Sequence, residues 1–143
     1  DIMARADALN DDPLHGFLVG LKLFAEVLAD LPGGHPGCLV ASYCYQDQLF
    51  SREVRELTRV GVDGWRKRFR DRLEKIAERY PPRMPVDISE LADMANALVD
   101  GGIIMSKIFQ DSSILPRQVL LYRDLIKLLF QPDLPDPRIT KAG

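Results

Sequence analysis

The sequence predicts an all-α fold, an antiparallel bundle of about five to six helices. Apolar residues recur at three- and four-residue steps along most of the 143-residue chain. Proline, glycine, serine and aspartate fall where such runs begin and end. The short runs that suit a strand lie inside helical periodicity, so no strand is expected. A chain of this size forms one domain with one core, expected over residues 1–131, with 132–143 as a flexible tail.

The first element is a helix remnant, Ile2 to Leu9, with Ile2, Ala6 and Leu9 on one face. Asp12 can cap the next helix and Pro13 suits its first position. That second helix, Pro13 to Leu31, is apolar around most of its girth: His15, Lys22, Glu26 and Asp30 form one narrow polar stripe. A helix of this kind belongs inside a bundle. Pro32-Gly33-Gly34 stops it. A third helix is expected over Gly37 to Leu49, with Leu39, Val40, Tyr43 and Cys44 facing inward.

The fourth and longest helix runs from Ser51 to Tyr80, and Pro81-Pro82 ends it. Its apolar row is Val54, Leu57, Gly61, Trp65, Phe69, Leu73, Ile76 and Tyr80. The fifth starts at the capping-box-like Asp87-x-x-Glu90 and reaches Gln110. The sixth starts after Ser112-Ser113, tolerates Pro116 in its first turn and ends near Gln131. It carries two stripes, one of Leu115, Val119, Tyr122, Ile126 and Leu129, the other of Leu121, Leu125 and Leu128.

The net charge of −2 argues against a dedicated nucleic-acid binder. The distribution is uneven, with +4 over residues 51–80 and −6 elsewhere. The basic run Trp65 to Arg72 reads as a solvated helix face with Trp65 and Phe69 turned to the core, because Lys67–Asp71 and Arg70–Glu74 are spaced to pair. No apolar run is long enough to span a membrane and none resembles a signal peptide. The start at Asp1 reads as that of a fragment. Cys38 and Cys44 are expected to be buried small hydrophobes rather than a disulfide, consistent with a reducing cytoplasm.

No P-loop, H-E-x-x-H, G-x-S-x-G or C-x-x-C motif occurs. His15 and His35 have no evident partner, so no metal, cofactor or catalytic group is expected. The expected activity is binding. Phe17, Leu21, Phe24, Tyr43, Trp65, Phe69 and Met94 can line an apolar pocket, with Tyr43, Trp65 and Asn96 offering polar handles. On the last two helices one stripe serves the core and the other needs a partner. Leu98, Gly101, Gly102, Met105, Phe109, Val119, Tyr122 and Ile126 are the residues expected at a homodimer interface.

A resemblance sharpens this reading. Gly34-His35-Pro36-Gly37-Cys38-Leu39-Val40-Ala41, followed by Ser51-Arg52-Glu53-Val54-Arg55 and then by Leu91 through Gly102 with its Asp100-Gly101 pair, resembles the C-terminal domain of the TetR (tetracycline-repressor-like) transcription regulators. The resemblance covers about residues 1–130. It implies a cytoplasmic regulator, commonly a repressor, whose DNA binding responds to a small apolar or amphipathic effector. Residues 1–10 would end the helix leading from an N-terminal helix-turn-helix that this chain lacks, so no DNA-reading residue is carried over. The second to fifth helices would surround the effector, and the fifth and sixth would build a four-helix dimer interface. The alternative is a helical protein-interaction module without a small ligand.

Overall fold

Short polar side chains open the long helices, as their unpaired first-turn amides require. Asp12 accepts from the His15 amide at 2.8 Å to start α2 (Pro13–Ala29). Ser51 accepts from the Val54 amide at the head of α4 (Arg52–Arg79), and Asp87 from the amides of Ser89 and Glu90 at the head of α5 (Ile88–Phe109). With α1 (Ile2–Ala8), α3 (Leu39–Cys44) and α6 (Ile114–Phe130), these make up the computed structural model, which describes residues 2–131. Among the described residues there is no strand, and no helix is long and apolar enough to cross a membrane. The expected tail at 132–143 lies outside the described residues.

The core joins α2, α5, α6 and the C-terminal half of α4. Phe17, Leu21 and Leu28 of α2 share one buried cluster with Leu73 and Ile76 of α4, Leu91, Ala95 and Ile103 of α5, and Val119, Ile126 and Phe130 of α6. Fully burying each large apolar side chain contributes roughly 1.5–3 kcal/mol. The Tyr122 hydroxyl donates to the Leu91 carbonyl at 2.8 Å, tying α6 to α5 inside that core, and burial pushes its phenol pKa up. Two glycines permit close crossings. A Cβ on Gly20 would stand 2.7 Å from Met3 Sδ of α1, and one on Gly102 would stand 2.8 Å from Leu115 Cδ1 and 3.3 Å from Leu115 Cα of α6.

Several expectations are corrected. α2 ends at Ala29, with Gly33 and Gly34 at positive φ carrying the turn beyond it. The third helix shrinks to six residues, followed by a 3-10 turn over Asp47–Leu49, and none of its residues is buried. Its sequence explains this: Gln46 and Gln48 offer the bundle nothing apolar, and Leu39, Tyr45 and Leu49 are all exposed. Cys38 is half-buried and its sulfur accepts from the Ala41 amide, whereas Cys44 is exposed rather than buried. Leu9 lies outside α1 and is exposed. The long row on α4 is buried at Leu73 and Ile76, while Leu57 is 75% exposed and Trp65 55%.

Asp12 links two elements, α2 and α4. It caps α2, accepts the Tyr80 hydroxyl at the end of α4, and lies 3.7 Å from Arg79. Burial raises its pKa, but the Tyr80 hydrogen bond, the His15 amide and Arg79 together hold it below the usual carboxylate value. A depressed acid contributes stability above its unfolded pKa of about 3.9, and that contribution fades as pH falls through the folded value. Asp12→Asn, which still caps, is expected to lower stability by about 1 kcal/mol at pH 7. In urea titrations the difference from wild type should shrink as pH falls through the lowered folded pKa of Asp12; a pH-independent difference would show that the charge is immaterial. Gly102→Leu, by overpacking the α5–α6 crossing, is expected to destabilise by about 1–3 kcal/mol in the same assay.

Candidate functional site

The N-terminal half of α4 extends past the core, and the segment from Tyr43 to Phe50 folds back beside it. Between them lies an open cleft of about 470 Å³. The rings of Tyr43 and Phe50 meet edge to face, 4.4 Å between centroids, and form one wall. Val54, Thr58 and Val62, at four-residue spacing on α4, form the other. The Thr58 hydroxyl donates to the Val54 carbonyl at 2.9 Å, which leaves its methyl as the free surface.

Arg55, Arg59, Asp63 and Arg66 rim this apolar floor. Arg59 gives two hydrogen bonds to the Glu56 carboxylate, at 3.0 and 2.7 Å, and a third to Asp63 at 2.7 Å. Arg66 clasps Asp93 of α5 in bidentate fashion at 2.5 and 2.6 Å. These bonds hold Glu56 and Asp93 below, and Arg59 and Arg66 above, their ordinary pKa values. At neutral pH these arginines therefore face acids already matched to them. Such a cleft suits an apolar or amphipathic molecule better than a multiply charged one, which would have to displace those acids.

The residues expected around a ligand do not converge here. Of them, Tyr43 lines the cleft. Phe17 and Leu21 belong to the core, and Phe24 is half-buried against it. Phe69 meets Phe17 edge to face at 5.9 Å and stacks on Trp65 at 6.5 Å, so these three rings form a ladder from core to solvent. Trp65 is thus at the surface, contrary to the expected inward orientation. Met94 is exposed, and the Asn96 amide bonds back to the Ala92 carbonyl at 3.4 Å in its own helix. Phe50, Val54, Thr58 and Val62 were not expected as a set. Their four-residue spacing was visible, but the competing row through Leu57, Gly61 and Trp65 has the more apolar side chains.

The expected dimer residues divide in two. Val119, Tyr122 and Ile126 are buried within the chain's own core, and Gly102 is pressed against Leu115, so they face inward. Leu98 packs partly on the same core. Met105 and Phe109 point outward, and a Cβ on Gly101 would meet nothing within 4 Å. They are joined outside by Ile104 and Ile108 on α5 and by Leu121 and Leu128 on α6. The outward stripe of α6 is therefore its second one. Packing against α2 and α5 takes the stripe that carries Tyr122, whose hydroxyl finds its partner there.

The chain matches no family model, no curated protein and no solved structure.

Among the basic residues of 66–72, Arg66, Lys67, Arg70 and Arg72 each pair with an acid, as the solvated-face reading expects. The cleft generates a direct test. An uncharged aromatic probe such as 2-naphthol is expected to raise the melting temperature in a saturable way, by mass action on the folded state. Val62→Trp, which fills the cleft, should weaken that effect at least about tenfold, or 1.4 kcal/mol. An unchanged titration would place the probe elsewhere.

Proposed function

We propose that this chain is the effector-sensing and dimerisation domain of a TetR-like transcription regulator, a cytoplasmic repressor whose DNA binding is modulated by a small apolar or amphipathic ligand. The observation that carries this reading is the outward apolar face on α5 and α6. Ile108 is 67% exposed and Leu121 63%, on helices whose opposite faces already form the core. Exposed apolar side chains recurring on one side of two neighbouring helices mark a candidate association site. A two-fold arrangement buries such a face on both copies at once, as a four-helix interface.

The α3–α4 cleft supplies the ligand site in this reading, and α1 is the segment that leads towards a DNA-binding domain outside this chain. A ligand that binds one dimer conformation better than the other shifts the population between them. Coupling of about 1–3 kcal/mol changes DNA affinity roughly 5–150-fold.

Sedimentation equilibrium tests the interface. Met105→Glu and Leu121→Glu each place a charge in the proposed contact at an exposed position outside the buried core, so circular dichroism should be unchanged. Each is expected to weaken association through this face at least about tenfold, because an unpaired charge would be buried. Association of the same strength in both variants would overturn the reading.

A further inference from the structure

The half of α4 that forms the cleft has a second, opposite side. Glu53, Leu57, Val60, Gly61, Gly64 and Arg68 recur at i, i+4, i+7, i+8, i+11 and i+15, within about 100° of arc on a helix of 3.6 residues per turn. All six are exposed. A Cβ on Gly61 or Gly64 would meet nothing within 4 Å, so no crossing inside the chain requires either glycine. Each costs about 1 kcal/mol relative to alanine in a helix interior. Beside them stand two exposed aliphatic side chains, Leu57 and Val60. Neither Glu53 nor Arg68 is in an ion pair among the described residues, although Arg59, Arg66, Lys67, Arg70 and Arg72 on the same helix all are.

The pattern is complementary to its own reverse. Around the midpoint between Val60 and Gly61, Leu57 mirrors Gly64 and Glu53 mirrors Arg68. We propose that α4 pairs antiparallel with α4 of a second copy, across a two-fold axis at that midpoint. Leu57 then sits over the partner's Gly64, Val60 over the partner's Gly61, and Glu53 opposite the partner's Arg68. Each contact occurs twice, as an isologous interface requires. Small residues facing aliphatic ones let the axes approach at the short end of helix-packing distances. The self-complementarity selects the occupant: a second copy supplies the matching stripe, charges included, with no further requirement on another sequence.

This contact is separate from the outward face of α5 and α6 and does not rest on it. Four turns of one helix make a small, weak interface, below roughly 1,200 Å². Sedimentation equilibrium of the whole chain should therefore extend into the high micromolar range. With both faces engaged, each copy makes two separate two-fold contacts, so the mass should grow beyond that of a dimer. Gly64→Leu should reduce it to that of a dimer, and Met105→Glu should leave the α4-linked dimer. If the α5–α6 reading alone is wrong, the wild type reaches a dimer that Gly64→Leu disperses and Met105→Glu does not. Arg68→Glu, which sets two acids against each other twice, should weaken association about tenfold, and adding Glu53→Arg should restore most of it. Self-association unchanged by both Gly64→Leu and Arg68→Glu overturns the α4 pairing, whatever Met105→Glu does.

Discussion

The seam between α2 and α6 is the contact on which the rest of this structure depends. Each helix has 17 residues, and each is buried along most of its length. Phe17, Leu21 and Leu28 from one side, and Val119, Ile126 and Phe130 from the other, lie in one dry cluster. A polar clasp fixes the register: Arg123 of α6 reaches back to donate from Nε to the Leu18 carbonyl at 3.0 Å. No side-chain N or O atom is left buried without a partner among the described residues, so the seam is achieved without an orphaned polar group. α1 attaches to this pair through Ala6 against the small surface of Gly16 and Gly20, and α5 through Gly102.

A length mismatch follows from that seam. Helices of 17 residues are about 25 Å long, whereas the 28 residues of α4 span about 42 Å. The C-terminal half of α4 finds Phe17, Asp12 and Asp7. Its N-terminal half outruns α2 and has the short, unburied α3 beside it. The cleft, the exposed Leu57 and the open Gly61 and Gly64 share this cause. They are where a helix made stable by its own capping and ion pairs continues past the core that anchors it.

The helices themselves were legible because their signals are local. Asp12 and Asp87 act as caps where expected, Ser51 caps the helix it was expected to begin, and the proline-bearing stretches follow the ends of α2 and α4. Facing was harder to read. Two apolar stripes on α6 are equally periodic, and periodicity does not say which one the chain keeps for itself. Burial of Tyr122 depended on a single carbonyl, that of Leu91, thirty-one residues away in sequence. Trp65 misled for a related reason: its size suggests burial, yet its position on α4 lies beyond the reach of α2, so it covers Phe69 instead. The cleft was illegible because α3 had to be short to create it, and the loss of helix after Cys44 depends on tertiary contacts that Gln46 and Gln48 fail to make.

The ion pairs along α4 give this arrangement a mechanical consequence. Arg66 ties α4 to Asp93 of α5 beside the cleft, Arg72 ties it to Asp7 of α1, and Tyr80 and Arg79 tie it to Asp12 at the head of α2. Exposed pairs of this kind contribute little stability singly; they supplement the packing of Leu73 and Ile76 that holds α4 in the core. Arg66 and Arg72 are six residues, or about 9 Å, apart on one continuous helix. A ligand that rotates or shifts α4 at the cleft therefore moves Asp7 and α1 with it, unless the Arg72 pair breaks. On the proposed regulatory reading, α1 is the route to the DNA-binding domain. The signal would then travel along one helix, through the packing of its buried Leu73 and Ile76 as well as the Arg72–Asp7 pair, with the α2–α6 seam as the frame against which that helix moves.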